Sequence, residues 1–323
     1  SKSLPNWCFG RGPSGPLSCF IFHALRHFAR VFRRHSLSVL RVRNASSHGK
    51  RIVAQKRGKR MAQTLAEIRE ALKVANRVEY EALARALAAD ERKGVKAALK
   101  SAARRLAAED AEAARLNGMY SFQAKLAGGG IAVGLDEVGR GPVAGPLAIG
   151  AVVLPDDPRV EGVNDSKQLS AERREEIAAV VREVAIAWDI EYIQPQEIDE
   201  HGMTWALRTA NLRAIAAIEE QLSAKGTSLD AVLLDGNAQH LDAREVNIVK
   251  GDGKCASIAA ASIIAKVDRD ALMCRYAEQF PHYGFESNKG YASAEHIEAI
   301  KQYGLSPVHR ASFCRAWTQE ALF

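Results

Sequence analysis

The sequence predicts an α/β protein, a mixed β-sheet flanked by helices and preceded by a small all-α region. Three observations carry this reading. Residues 63–126 hold no proline and are rich in Ala, Leu, Glu, Lys and Arg, a strongly helix-forming composition. From Ile131 onward, apolar runs too short for helices alternate with longer segments of helical period. The first two runs are close enough for a hairpin, whereas the later ones are separated by helices, which implies parallel crossovers.

Residues 1–60 form a basic extension. It mixes Gly, Pro and Ser with an Arg-rich apolar segment, Phe20 to Val42, in which Arg26, Arg30, Arg33 and Arg34 fall on one helical face. Three readings compete: translated sequence upstream of a natural start at Met61, an organellar targeting segment, or a disordered basic arm that adds affinity for nucleic acid. The first is preferred, and the extension is set aside in reasoning about the fold.

Residues 61–127 form the helical region. Leu65, Ile68, Leu72 and Ala75 recur at helical spacing, as do Val95, Leu99 and Ala102, predicting two or three helices broken near Asp90–Gly94 and ended by Gly118. Gly128-Gly129-Gly130 reads as a flexible joint. Residues 131–318 form the α/β domain, with strands near 131–136, 147–154, 185–193, 231–235 and 245–249 and helices near 170–183, 203–223, 256–279 and 293–302. Residues 319–323 remain as a C-terminal tail.

The net charge of +7 conceals a division, because residues 1–60 hold fourteen Lys or Arg and no Asp or Glu. The remainder carries 31 basic against 38 acidic residues, so any binding of nucleic acid there must come from local basic clusters. No apolar stretch is long enough for a membrane span. Five cysteines (Cys8, Cys19, Cys255, Cys274 and Cys314) form no CxxC pair, which argues against a disulfide framework or structural zinc and fits a reducing, cytoplasmic setting. Cys255, among small apolar residues, reads as core packing.

The chemistry concentrates in acids placed where strands end. The run Ile131–Leu135 delivers Asp136 and Glu137, followed at once by Gly139-Arg140-Gly141. Neighbouring strand residues point to opposite faces, so both acids serve one site only where the strand ends or bends, and the two glycines supply that bend. The run Ala231–Leu234 closes on Asp235-Gly236, and Val246–Val249 closes on Lys250-Gly251-Asp252. Asp136, Glu137, Asp235 and Asp252 thus form a candidate set for hard cations such as Mg²⁺, which take a few carboxylates and leave positions for water and phosphate.

Other acids fit less well. Asp270 lies eighteen residues beyond Asp252, about 27 Å along a helix, and Asp268 is nearly as far. Both are read as solvated or paired with Arg269. Asp156, Asp157, Asp199 and Glu200 look like turn and helix-start residues. The small residues of Ser257–Ala265 read as close helix–sheet packing. Lys266 reaches either phosphate or solvent, and Asp165-Ser166-Lys167 has the look of a surface turn.

At this point a family resemblance becomes specific. GLDEVGRGPVAGP at 134–146, Asp165-Ser166-Lys167, LLDGN at 233–237, KGDGK at 250–254, SIAAASIIAKVDRD at 257–270, YGFESNKGYAS at 283–293, and His309-Arg310 with Ser312-Phe313 fall in one order. Together they resemble bacterial ribonuclease HII over roughly 131–315, and residues 61–126 resemble, less strongly, a helical region carried by some members. The resemblance implies a ribonuclease H-like fold and an endoribonuclease that cuts the RNA strand of RNA–DNA hybrids. It adds a preference for cleaving 5′ to a single ribonucleotide embedded in duplex DNA. Two Mg²⁺ or Mn²⁺ ions would activate water as nucleophile, leaving 3′-hydroxyl and 5′-phosphate ends. It also implies a substrate-facing cation at Lys167 and a groove-facing tyrosine at Tyr291, able to stack on a sugar and hydrogen-bond its 2′-hydroxyl.

Two rivals stand beside this reading, another nuclease or transposase of the same fold and a hybrid-binding protein with a dead site. The presence of all four acids argues against the second. The tail Gln319-Glu320-Ala321-Leu322-Phe323 resembles a sliding-clamp docking motif; the alternative is a helix turn packed on the chain's own core. A monomer is expected.

Overall fold

The computed structural model describes residues 63–318. The basic extension 1–60, Met61 and the tail with Gln319, Leu322 and Phe323 lie outside the described residues, and so do the readings that rest on them. Residues 69–323 form the larger compact unit; of the smaller unit, 1–68, only residues 63–68 are described.

Helices α1 (Leu65–Val74), α2 (Arg77–Ala86) and α3 (Lys93–Leu126) make the N-terminal region. Helix α2 starts at a capping box, in which Asn76 accepts from the Glu79 N–H and Glu79 accepts from the Asn76 N–H. Gly118 was the expected end of a helix, but α3 runs through it to Leu126. One glycine weakens a helix only slightly, and the flanking Leu116, Met119, Tyr120 and Gln123 are buried. Leu116, Met119 and Tyr120 pack with Val160, Val163, Ile177 and Ala259 in one core cluster, and the Tyr120 hydroxyl accepts from the Val160 N–H at 3.0 Å. The Gly128–Gly130 joint is a hydrogen-bonded turn, with Gly129 N–H donating to Ala124 O and Gly128 and Gly129 in the left-handed region.

Five strands, β1 (Ala132–Val138), β2 (Leu147–Val153), β3 (Ala187–Ile193), β4 (Ala231–Asp235) and β5 (Glu245–Ile248), form one sheet in the order β3-β2-β1-β4-β5. The hairpin β1–β2 is antiparallel and β1–β4 is parallel. Two details differ from the sequence expectation. Strand β3 follows helix α4 (Ala171–Val184) yet lies antiparallel to β2, and β4 and β5 are parallel with no helix between them. Helices α5 (Pro195–His201), α8 (Phe285–Asn288) and α10 (Ala311–Thr318) were too short for their period to show, whereas α6 (Met203–Ser223), α7 (Ala256–Gln279) and α9 (Ala294–Tyr303) follow the expected spans closely.

Alternation sorts each strand between two helical layers. Val133 and Leu135 of β1 and Leu147, Ile149 and Ala151 of β2 pack with Ala206, Ala210, Ala214 and Ile218 of α6. The opposite face takes α7. There Gly134 and Gly150 let the helix approach: a Cβ on Gly134 would collide with the Ser257–Ile258 backbone, and one on Gly150 with Ala261 O. The small residues of Ser257–Ala265, all buried, are therefore the packing face that their composition suggested. Among the described residues, no helix is long and apolar enough to cross a membrane.

Candidate active site

Strands β1 and β4 run side by side in the same direction, with Leu135 opposite Leu234. Asp136 and Asp235 each follow those residues, so the two carboxylates leave neighbouring parallel strands at one end of the sheet. Asp252 sits in a single 3-10 turn, 251–253, between β5 and α7. The Gly251 N–H donates to Asp235 Oδ1 at 2.6 Å, which ties that turn to Asp235. Glu137 lies 3.4 Å from Arg140 Nη1, and the charge of Asp235 acts on it as well as on Asp136. The strand does not end between the two acids; it continues to Val138, and the bend comes at Gly139, φ +89°. Gly141 keeps an ordinary backbone conformation, so only Gly139 needs the freedom of glycine.

The electrostatics suit a cation. Burial pushes the Asp136 carboxyl up to about 8, opposed by the Ser262 hydroxyl and the Glu137 N–H and reinforced by the charges of Asp235 and Glu137. Glu137 is raised mainly by burial, with Arg140 and Lys167 opposing. Asp252 is raised by burial and by the charges of Asp165 and Asp235, again with Lys167 opposing. Among the described residues no group of three or more His, Cys, Asp or Glu side chains is drawn together closely enough to hold a metal ion. The acids act on one another electrostatically, a repulsion that a hard divalent cation would relieve, and oxygen-only donors of this kind suit Mg²⁺ or Mn²⁺. Asp165 went unrecognised as a neighbour of these acids; it caps its own turn by accepting from the Lys167 N–H at 2.9 Å.

Two arginines absent from the sequence-based site underlie the loop after β1. Arg269 and Arg310 are both fully buried, and both guanidinium groups donate to backbone carbonyls. Arg310 donates to Gly139 O, Arg140 O and Gly145 O, at 2.6–3.1 Å. Arg269 donates to Ala144 O, Pro146 O and Lys289 O. In a trans peptide the N–H opposes the preceding carbonyl. With Gly139 O and Arg140 O held inward, the Arg140 and Gly141 N–H groups face the other way, and neither has a partner among the described residues.

Tyr291 lies against this loop. A Cβ built on Gly141 would meet its ring at 3.7 Å, and the residue is 52% exposed, too open for a core tyrosine. Gly290 O accepts from both Val143 N and Ala144 N, which stitches the Tyr291 loop to the segment after β1.

The remaining acids and cations are placed elsewhere. Asp268 pairs with Arg182 and Asp270 with Lys266, so Arg269 serves neither, in contrast to the expected pairing, and Lys266 is engaged. Asp199 is inside α5 and not at a turn; its carboxylate accepts from Ala311 N and Ser312 N and so caps α10. Cys255 is fully buried, and burial pushes its thiol up to about 11, as suits a packing residue.

The fold and site thus define a metal-dependent nuclease with a ribonuclease H-like sheet. The ribonuclease HII family model matches residues 133–316, and the model for the ribonuclease HII N-terminal domain matches 64–127. Ribonuclease HII of Ruminiclostridium cellulolyticum is 43% identical over 212 residues, covering 65% of this chain and 81% of that protein. Ribonuclease HII of Clostridium acetobutylicum is 41% identical over 232 residues, covering 70% and 88%. Bst-RNase HIII in complex with Mn²⁺ superposes with a TM-score of 0.50 at 20% identity, over 60% of this chain and 71% of that one, a likeness of fold. The chain belongs to the ribonuclease HII family. It is a metal-dependent ribonuclease H, an endonuclease acting on the RNA of RNA–DNA hybrids.

Proposed function

We propose that the enzyme also cuts duplex DNA at a single embedded ribonucleotide, on its 5′ side, leaving 3′-hydroxyl and 5′-phosphate ends. The observation that carries this is the adjacency of two parts. Four carboxylates, Asp136, Glu137, Asp235 and Asp252, share one end of the sheet, and beside them lies a loop with two outward N–H groups and an exposed tyrosine. The acids are the metal ligands, for two Mg²⁺ or Mn²⁺ ions once substrate is bound. Such ions supply charge to the phosphoryl transition state and lower the pKa of the attacking water.

The protein's own groups select and orient. The Arg140 and Gly141 N–H groups, with Gly139 allowing the sharp turn, bind sugar and phosphate oxygens through the backbone and so need no particular base. Tyr291 stacks on the ribose and hydrogen-bonds the 2′-hydroxyl, the one group that separates RNA from DNA. Lys167, whose charge acts on both Glu137 and Asp252, neutralises a phosphate next to the cut. In this reading residues 61–127 support the catalytic domain, 131–318. The enzyme acts as a monomer in a cytoplasmic setting, and Gln319, Leu322 and Phe323 dock it on a sliding clamp.

The test is a DNA duplex holding one ribonucleotide, incubated with Mg²⁺ or Mn²⁺ and mapped at nucleotide resolution. A single cut 5′ to the ribonucleotide is expected, weakened by Tyr291→Ala more than cleavage of a continuous hybrid is. Cleavage of the hybrid alone would remove the single-ribonucleotide reading and leave the family activity intact.

A further inference from the structure

Behind Tyr291 lie two buried histidines that the chemistry above does not use, His296 of α9 and His309 of the following loop. Their Nε2 atoms are 2.9 Å apart. His296 Nδ1 is 2.8 Å from Tyr291 O, and His309 Nδ1 is 3.0 Å from Ser306 N and 2.8 Å from Ser306 Oγ. A backbone N–H only donates, so His309 Nδ1 must accept and its proton sits on Nε2. That proton is given to His296 Nε2, which leaves the His296 proton on Nδ1, aimed at Tyr291 O. One assignment satisfies every contact: Ser306 to His309, His309 to His296, His296 to Tyr291.

We infer that His296 and His309 form a one-way hydrogen-bond relay that positions Tyr291 for substrate, an inference resting on the substrate-reading role proposed for Tyr291. Three consecutive carbonyls of the Tyr291 loop are held from three directions: Lys289 O by Arg269, Gly290 O by the Val143 and Ala144 N–H groups, and Tyr291 O by His296 together with the Ser293 N–H. The side chain itself stays exposed, so its aim depends on how its backbone is fixed. The rings of Tyr283 and Phe285 enclose both histidines, and the Tyr283 hydroxyl donates away to Gly304 O. Burial holds both imidazoles below their usual protonation range, His309 at about 4, so the relay is neutral at physiological pH.

Two measurements test this. Ring ¹⁵N shifts of the full-length protein should show opposite tautomers, Nε2–H in His309 and Nδ1–H in His296; the same tautomer in both overturns the relay. In steady-state cleavage of the single-ribonucleotide duplex, His309→Phe keeps the aromatic packing but breaks the chain. It should raise KM about tenfold with kcat within about twofold, the scale of one lost hydrogen bond. His309→Gln, whose amide still donates to His296, should restore KM, and His309→Phe should add nothing to Tyr291→Ala. Equal loss in the Phe and Gln variants, or full additivity with Tyr291→Ala, would falsify the positioning role. A silent Tyr291→Ala instead removes the substrate-reading role on which the inference rests. The two failures are distinct, because in the first Tyr291→Ala still impairs cleavage.

Discussion

Asp136 is 7% exposed and stands within the field of Asp235 and Glu137. Its carboxyl is held up at about 8 in the fold against an ordinary value of 3.8. The folded state therefore holds the proton more tightly than the unfolded state, and stability drains away as pH rises from about 4 to about 8. Asparagine keeps the shape without the charge. In chelator, Asp136→Asn should melt higher than wild type at pH 8 and no higher at pH 4, read by calorimetry. The same change should lower turnover in Mg²⁺ on the order of a thousandfold or more, because cation positioning supplies most of the transition-state stabilisation. A variant that is stabilised yet fully active would strip Asp136 of its ligand role. Arg310 presents the converse case, a buried cation held by carbonyls. Arg310→Met would leave Gly139 O, Arg140 O and Gly145 O unpaired, a loss of about 3 kcal/mol in chemical denaturation. The freed loop should weaken substrate binding as well, measurable as a raised Kd in Ca²⁺. Destabilisation with unaltered Kd would reduce Arg310 to packing.

Helix α7 begins just after Asp252, yet its N-cap residue Cys255 supplies no side-chain cap. Gln123 of α3 supplies one: its Oε1 accepts from the Ser257 N–H at 2.9 Å and from the Cys255 thiol at 3.3 Å. The N-terminal helical region thus fastens the start of the helix that follows the Asp252 turn. Gln123→Ala should cost about 1–2 kcal/mol, the range of a lost cap, and Gln123→Glu, which keeps an acceptor, should cost less. Equal melting temperatures for wild type and Gln123→Ala would show that the cap contributes nothing. None of this was legible in the sequence, because the partners are 134 residues apart and glutamine at mid-helix has many uses. The strands and the helices α6 and α7 were legible, because their apolar periods run for several turns or end in glycine. The antiparallel setting of β3 was not, since a helix between two strands signals a crossover and does not dictate its direction. For the site the division is similar. The spacing of apolar runs pointed to Asp136, Asp235 and Asp252, whereas Arg269 and Arg310 act through backbone carbonyls, and no residue pattern announces such partners.

The whole chain joins an acidic enzyme to basic flanking sequence, with 31 basic against 38 acidic residues after position 60. Encounter with a polyanionic duplex is therefore not driven by the net charge of this part, and the proposed function assigns it to local cations, Arg140 and Lys167 among them. This makes recruitment by a partner useful. In the proposed docking role, Leu322 and Phe323 of Gln319-Glu320-Ala321-Leu322-Phe323 are two apolar anchors and Gln319 supplies one amide. Tethering raises apparent affinity by about 10²- to 10⁴-fold without altering the catalytic groups. Helix α10, which precedes these residues in the sequence, is fixed at its N-terminus by Asp199. Deleting 319–323 should abolish binding to an immobilised sliding clamp, read by surface plasmon resonance, while free-solution cleavage of a short single-ribonucleotide duplex stays within about twofold of wild type. The converse result, a melting temperature lowered by about 4 °C or more, corresponds to roughly 1–2 kcal/mol for a domain this large. That outcome, with clamp binding unchanged, would make Leu322 and Phe323 core residues of the enzyme and end the docking proposal.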